Sequence, residues 1–306
     1  MSDLTHTSNN VKQISEDSEF KTSFIIGQKY SWGEHGWICF EANNLLLTKW
    51  VEGSYEWVDS HSLHAIWAGF RHFLRFNSNY STFMSTRLED HNSVRGYAIT
   101  HTKLSPIDIF TSVYEDMVWG SNNHTDYIGS SGDGSYLEKN VEYISFVKTF
   151  IKDKEIKTVV DLGCGDWKCG LALYDELKIQ YTGYDAYEKI INFNKKTNSS
   201  SKYTFIHMDF LNNPELINSA DICIIKDVLQ HWPLESIYTF LDYICLSKKF
   251  KYILITNCSY QKNDNTQIQM GDFRPLSKDF LPLKKYSPIH LLSYLTKEVV
   301  LIPAQQ

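Results

Sequence analysis

The run Val159-Val160-Asp161-Leu162-Gly163-Cys164-Gly165-Asp166-Trp167 sets the tightest limit on what this chain can fold into. A pair of β-branched residues followed by Asp-Leu-Gly-x-Gly predicts a short buried strand and a turn too tight for side chains, leading into a helix over Lys168 to Leu177. Such a turn lets the backbone and a helix N-terminus approach a ligand closely. The next glycine is Gly170, so the dinucleotide spacing Gly-x-Gly-x-x-Gly is absent. Asp161, just ahead of the first glycine, would repel a pyrophosphate and suits a cationic or zwitterionic ligand.

The next apolar stretch, Ile179 to Tyr184, ends in Asp185, where a second parallel strand would present a carboxylate to ribose hydroxyls. With Asp161, Gly163, Gly165 and Asp185 in this order, the segment resembles the class I S-adenosylmethionine-dependent methyltransferases. Their first motif is an acid, x, Gly, x, Gly, and their second ends in a ribose-binding acid. The resemblance runs from about Ile109 to Ile302. Tyr203 to Phe210 looks like the third strand with the Asp209-Phe210 pair that meets adenine in that family. Ala220 to Pro233 looks like the fourth strand and its catalytic loop, Lys251 to Asn257 a fifth strand, and Glu298 to Ile302 a last one.

The resemblance implies S-adenosylmethionine as cofactor. It implies a cofactor site at Asp161, Gly163, Cys164, Gly165, Asp166, Trp167, Asp185, Ala186, Asp209, Phe210, Lys226, Asp227 and Val228. His231, where the chain leaves the fourth strand, is either a general base for the acceptor or a residue that caps or packs against the helix starting near Pro233. Asp227 either orients His231, contacts the acceptor or begins the turn. Lys226, at the end of a buried strand, calls for an anionic partner such as Asp161, Asp209 or a substrate phosphate. The loop lacks an Asn-Pro-Pro-Tyr signature, which weakens a nucleic-acid base or protein glutamine as substrate and favours a small molecule or glycan.

A chain of 306 residues exceeds the roughly 100–200 typical of one domain, and its 42% hydrophobic content can fill two cores. The expected division is a polar tail over 1–22, a β-rich domain over 23–106 and a methyltransferase domain over 107–306, opened by lid helices over 107–152. The fold class is thus α/β, a Rossmann-like class I methyltransferase sheet with an N-terminal β-rich domain. A formal charge of −6 and the lack of a basic tract argue against a nucleic-acid backbone as partner. Without an apolar run long enough to span a bilayer or a signal-peptide core, the chain reads as cytoplasmic. The six scattered cysteines read as small apolar core residues, and Cys164-x4-Cys169 is a poor zinc candidate. No metal site is expected, and the oligomeric state is not encoded.

From Phe24 to Ile99, short aromatic and β-branched runs alternate with turn signals, which predicts an antiparallel meander or small barrel. Trp37, Phe40, Leu45, Leu47, Trp50, Tyr55, Trp57, Ile66, Trp67, Phe73, Leu74 and Phe76 are its expected core. Part of this aromatic set is an alternative platform for sugar rings, with His64, Arg71, His72, Arg87 and Asp90 as polar neighbours. After a helix over Ile109 to Gly120, the segment Tyr127 to Ser135 is either a linker or a lid, and a second helix runs from Tyr136 to about Lys152. Trp119 or Tyr127 is a candidate to face the sulfonium or the acceptor.

Near the end, Gly271-Asp272-Phe273-Arg274-Pro275-Leu276 resembles a segment of bacterial and viral methyltransferases that act on surface glycans. Arg274 there either binds an acceptor phosphate or carboxylate or makes a surface salt bridge. The leading expectation is an O-methyltransferase acting on a sugar, glycan or glycan precursor. The alternatives are a small-molecule N- or O-methyltransferase of other metabolism, a non-catalytic S-adenosylmethionine-binding module and an NAD-dependent oxidoreductase.

Overall fold

The computed structural model describes residues 25–33, 36–78, 80–99 and 104–303. The expected polar tail over 1–22 lies outside them. The chain divides into two compact units, Met1–Leu104 and Ser105–Gln306.

In the first unit, β1 (Lys29–Trp32), β2 (Gly36–Phe40), β3 (Leu45–Thr48), β4 (Gly53–Trp57), β5 (Ser62–Trp67), β6 (Phe70–Phe76), β7 (Thr82–Arg87) and β8 (Ser93–Tyr97) pair antiparallel in sequence order. Gly33 N–H donates to Arg95 O at 3.2 Å and Ile99 N–H to Lys29 O at 2.6 Å, which brings β8 back to β1. The meander is therefore a closed barrel with no free sheet edge in the ring. Its interior follows the two-residue period. Leu63, Ala65 and Trp67 point in from β5 and pair with Leu74, His72 and Phe70 of β6, while His64 and Ile66 point out. Gly96 leaves room for the Phe83 ring, which a Cβ at that position would strike.

The barrel corrects the expected core. Phe40, Tyr55, Trp67, Leu74 and Phe76 are buried, but Leu45, Trp50 and Ile66 are exposed and Trp37, Leu47, Trp57 and Phe73 are only partly covered. Tyr30, Trp32, Ile38, Leu46, Leu63 and Phe83 fill the space instead. Leu45-Leu46-Leu47 shows the reason: in an unbroken apolar run composition does not set the phase, and only the middle leucine is buried.

The second unit is a seven-stranded sheet in the order β11-β10-β9-β12-β13-β15-β14. The parallel strands are β9 (Thr158–Leu162), β10 (Gln180–Asp185), β11 (Tyr203–His207), β12 (Ala220–Lys226) and β13 (Phe250–Cys258). β15 (Lys297–Pro303) runs antiparallel to β13, and β14 (Ile289–Tyr294), a strand not foreseen from the sequence, forms the outer edge. The helices are α1 (Pro106–Glu115), α2 (Val141–Asp153), α3 (Gly170–Tyr174), α4 (Glu188–Thr197) and α5 (Leu234–Leu246). The chain steps outward from β9 through β10 to β11 and returns to β12 on the other side of β9. The ends of β9 and β12 thus flank the switch point at which open α/β sheets bind ligands.

Helix limits depart from expectation for identifiable reasons. α3 begins at Gly170 because Trp167 adopts φ +51° and folds its indole against that glycine, where a Cβ would overlap the ring. α1 starts at Pro106 behind a capping box formed by Ser105 and Asp108, and Met117 at φ +54° prevents it from reaching Gly120. Short 3-10 turns occupy 133–135 and 137–139, so α2 starts only at Val141.

Candidate active site

The strand ends of the second unit open into a pocket of about 1110 Å³, counting the part open to solvent. All the residues named above for the cofactor line it, as do His231 and Trp119, whereas Tyr127 and Arg274 do not. Tyr127 is instead buried beside Phe193 and His124.

The turn after β9 is built by left-handed glycines, Gly163 at φ +78° and Gly165 at φ +56°. A Cβ on Gly163 would overlap Val228 Cγ2, and one on Gly165 would overlap Ser131 Oγ, so both positions exclude larger residues. Carboxylates surround the turn. Asp161 accepts from the Tyr181 hydroxyl at 2.8 Å, yet burial pushes its carboxyl up to about 6. Asp185 accepts from Gly165 N–H at 2.9 Å and from Tyr187 N–H at 3.0 Å, fixing the acid against the glycine turn; its burial raises the carboxyl pKa. Asp209 accepts from Asn212 Nδ2 at 2.7 Å, and Phe210 packs on Trp232.

The segment over 129–135 lies on this turn. Ser131 and Asp166 are tied reciprocally: Asp166 N–H donates to Ser131 Oγ at 2.7 Å and Ser131 N–H to Asp166 Oδ2 at 3.2 Å. Ser131 Oγ also meets the Tyr114 hydroxyl at 2.9 Å, and Lys168 pairs with Asp166 at 2.7 Å. These bonds make the Gly-Ser segment part of the pocket wall rather than a bare linker.

Beyond β12, Lys226 finds its anion next door. Its Nζ donates to Asp227 Oδ2 at 2.7 Å and to Gly134 O at 2.8 Å, so neither Asp161 nor Asp209 is its hydrogen-bond partner. Asp227, at φ +59°, also takes Lys297 Nζ from β15. Burial alone would raise the Asp227 carboxyl, but the ammoniums of Lys226 and Lys297 outweigh it and hold the group below its ordinary value. Burial pulls the Lys297 ammonium down in spite of this pairing. No hydrogen bond joins Asp227 to His231; the nearer link is Gln230 Nε2, 3.4 Å from Asp227 Oδ1.

His231 is buried, with Nδ1 2.8 Å from Asp272 O. A carbonyl only accepts, so the proton sits on Nδ1 and Nε2 carries the lone pair. Its ring centroid lies 4.7 Å from that of Trp119 and 5.8 Å from that of Phe273. Burial pushes the imidazole down to about 4, with the Asp272 bond and the Asp227 charge opposing. Arg274, also buried, is no surface bridge: Nη1 donates to Leu229 O at 3.2 Å, while Nε and Nη2 have no hydrogen-bond partner among the described residues. Its backbone N–H donates to Gln230 O at 3.0 Å and that of Gly271 to His231 O at 2.8 Å. The segment over 271–274 therefore holds the His231 turn from behind.

Sequence reading missed Lys297, Tyr114, Tyr143, Ser131 and Gly134. Lys297 lies beyond an unforeseen hairpin strand, but Ser131 and Gly134 were visible in the Gly-Ser run. Among the described residues, no group of three or more His, Cys, Asp or Glu could hold a metal ion, and no helix is long and apolar enough to cross a membrane.

The acid–glycine turn lies at the switch point of a nucleotide-type α/β sheet, and residues 153–281 match the family model of the methyltransferase domain. The matched stretch marks the protein as a methyltransferase that uses S-adenosylmethionine. Among solved structures it is similar to the methyltransferase domain of bacterial CtHen1-C, at 12% identity over 54% of this chain and 99% of that one, with a TM-score of 0.43. It is similar to magnesium protoporphyrin IX methyltransferase (ChlM) from Synechocystis PCC 6803, at 14% identity over 54% and 83%, with a TM-score of 0.41. It is also similar to the N-methyltransferase NodS from Bradyrhizobium japonicum WM9, at 10% identity over 56% and 89%, with a TM-score of 0.41. No curated protein matches the chain by sequence.

The residues present fit this cofactor. The glycine turn leaves the backbone bare for close approach, Asp185 and Asp209 offer acceptors to hydroxyls and amines, and the wall carries acids suited to a cationic ligand.

Proposed function

We propose that the enzyme methylates a hydroxyl group of a sugar, glycan or glycan precursor, with His231 as general base and Trp119 beside the acceptor. The cofactor supplies an electrophilic methyl group, and transfer is an in-line displacement in which positioning does most of the work. The glycine turn, Asp161, Asp185, Asp209 and Phe210 would hold the cofactor.

One observation carries the reading: the Nδ1–H of His231 is committed to Asp272 O at 2.8 Å, which leaves Nε2 as a lone pair in a pocket-lining ring. With its pKa pushed down to about 4, the imidazole is neutral at ordinary pH. A weak base suffices here, because the hydroxyl becomes strongly acidic as its oxygen bonds the methyl carbon. The bound cofactor would supply the methyl group, with the carbon–sulfur pair returning to sulfur, and His231 Nε2 would take the hydroxyl proton. The Trp119 ring, which lines the pocket 4.7 Å from that of His231, supports an acceptor with a C–H-rich face, as a pyranose has.

His231→Ala should lower kcat by roughly 100-fold or more while the Kd for S-adenosylhomocysteine stays within about twofold. At saturating cofactor the acid limb of kcat should fall near pH 4 rather than near the ordinary histidine value. Unchanged turnover in the variant removes the base. Labelling a lysate with radioactive methyl donor should place the label in saccharide; label confined to amines, protein or nucleic acid removes the acceptor assignment.

A further inference from the structure

At the end of β12 two lysines converge on one carboxylate. Lys168 is matched by Asp166 at 2.7 Å. Lys226 and Lys297, by contrast, share the single carboxylate of Asp227. This cluster carries one net positive charge, with side-chain exposures of only 18% for Lys226, 10% for Lys297 and 19% for Asp227. Charge buried to that degree is costly unless a counter-charge arrives. Asp161 feels Lys226 through space but makes no bond to it, and it accepts instead from Tyr181.

The cluster is also open to a ligand. Lys226 lines the pocket, and its Nζ spends two N–H groups, on Asp227 Oδ2 and Gly134 O; among the described residues the third has no oxygen or nitrogen acceptor and faces the Tyr143 ring, 5.6 Å to the centroid. Gly134 presses on the same cluster: a Cβ there would stand 2.5 Å from Lys297 Nζ and 3.0 Å from Asp227 Oδ2. A larger residue would force the wall segment off the lysines.

S-adenosylmethionine has one anionic group, the carboxylate of its amino-acid end. We infer that Lys226 is the seat of this carboxylate, and that Lys297 is a positioning residue that takes up the charge of Asp227 so that Lys226 stays available. The inference rests on the cofactor assignment alone and is independent of His231 and of the acceptor.

Isothermal titration with two ligands tests it: S-adenosylhomocysteine, and its decarboxylated analogue, which lacks only the carboxylate. Binding of both to the wild-type protein checks the cofactor assignment separately. Lys226→Met should weaken S-adenosylhomocysteine by roughly 10–100-fold, the scale of a charge-assisted hydrogen bond, and change the analogue by less than about threefold. Lys226→Arg should restore most of the loss. Lys297→Met should cost S-adenosylhomocysteine about 3–10-fold, again sparing the analogue, since Asp227 would then claim Lys226 alone. Equal losses for both ligands would reduce Lys226 to a structural role, and no loss for either would assign the cluster to another anion; each result overturns the inference. Should Lys226→Met fail to fold, Lys297→Met carries the same comparison.

Discussion

Replacing Gly163 by alanine tests whether the turn after β9 is shaped by close approach or merely tolerates glycine. The new Cβ brings two costs. At φ +78° an L-residue is held in the left-handed region, which costs about 1–2 kcal/mol. The Cβ also overlaps Val228 Cγ2, and forced overpacking of this kind costs about 1–3 kcal/mol. The loss of backbone freedom in the unfolded chain offsets under about 1 kcal/mol. The sum is a net destabilisation of about 1–5 kcal/mol, or roughly 2–20 °C in Tm for a unit of this size. Val228→Ala separates the two costs, because it removes the clashing methyl and leaves the strained φ. Urea unfolding of wild type, both single variants and the double variant should show the double less destabilised than the sum of the singles by about 1–3 kcal/mol. Affinity for S-adenosylhomocysteine should recover in parallel, because Val228 lines the same pocket. Single-variant effects that add within about 0.5 kcal/mol would refute the contact as the reason for glycine.

Further outcomes follow from the segment behind His231 and from the barrel. Arg274→Ala removes the donor to Leu229 O and should lower kcat by roughly tenfold, as the Asp272–His231 bond slackens, without changing S-adenosylhomocysteine affinity; a change confined to acceptor KM would mean that Arg274 binds substrate instead. In the barrel, His72 stacks on Trp67 with ring centroids 3.8 Å apart, and burial, then the Arg87 charge, pushes its pKa down to about 4 against the opposing Glu89 and Asp90. A group depressed on folding stabilises fully above its unfolded value, and that stability is lost as pH falls through the window from about 6.5 to 4. Thermal melts of His72→Gln should show a flatter pH dependence across this window, and an identical slope would place the titration elsewhere.

How far the sequence could be read depended on whether the relevant contacts are local. The turn was legible because Asp161, Gly163 and Gly165 act within a few residues of one another, and their backbone demands are written in residue type. The parallel strands were legible because both faces are covered, so that Val159-Val160 and Ile222-Cys223-Ile224-Ile225 read as unbroken apolar runs. The barrel core was not, because an antiparallel strand needs its phase, and aromatic richness on both faces conceals it: Ile66 and Trp67 differ in burial only through register. The charge balance was concealed for a different reason. Lys226 advertised the need for an anion, and the sequence supplied acids in excess, but the answer depends on Lys297, 71 positions away, reaching the same carboxylate through the β13–β15 pairing. A motif scan assigns Asp227 to the ligand or the acceptor. The sheet instead makes it the shared counter-ion of two lysines. With Lys226 as the inferred seat of the cofactor carboxylate, this pairing is what would fix the direction of a zwitterionic ligand before any acceptor arrives.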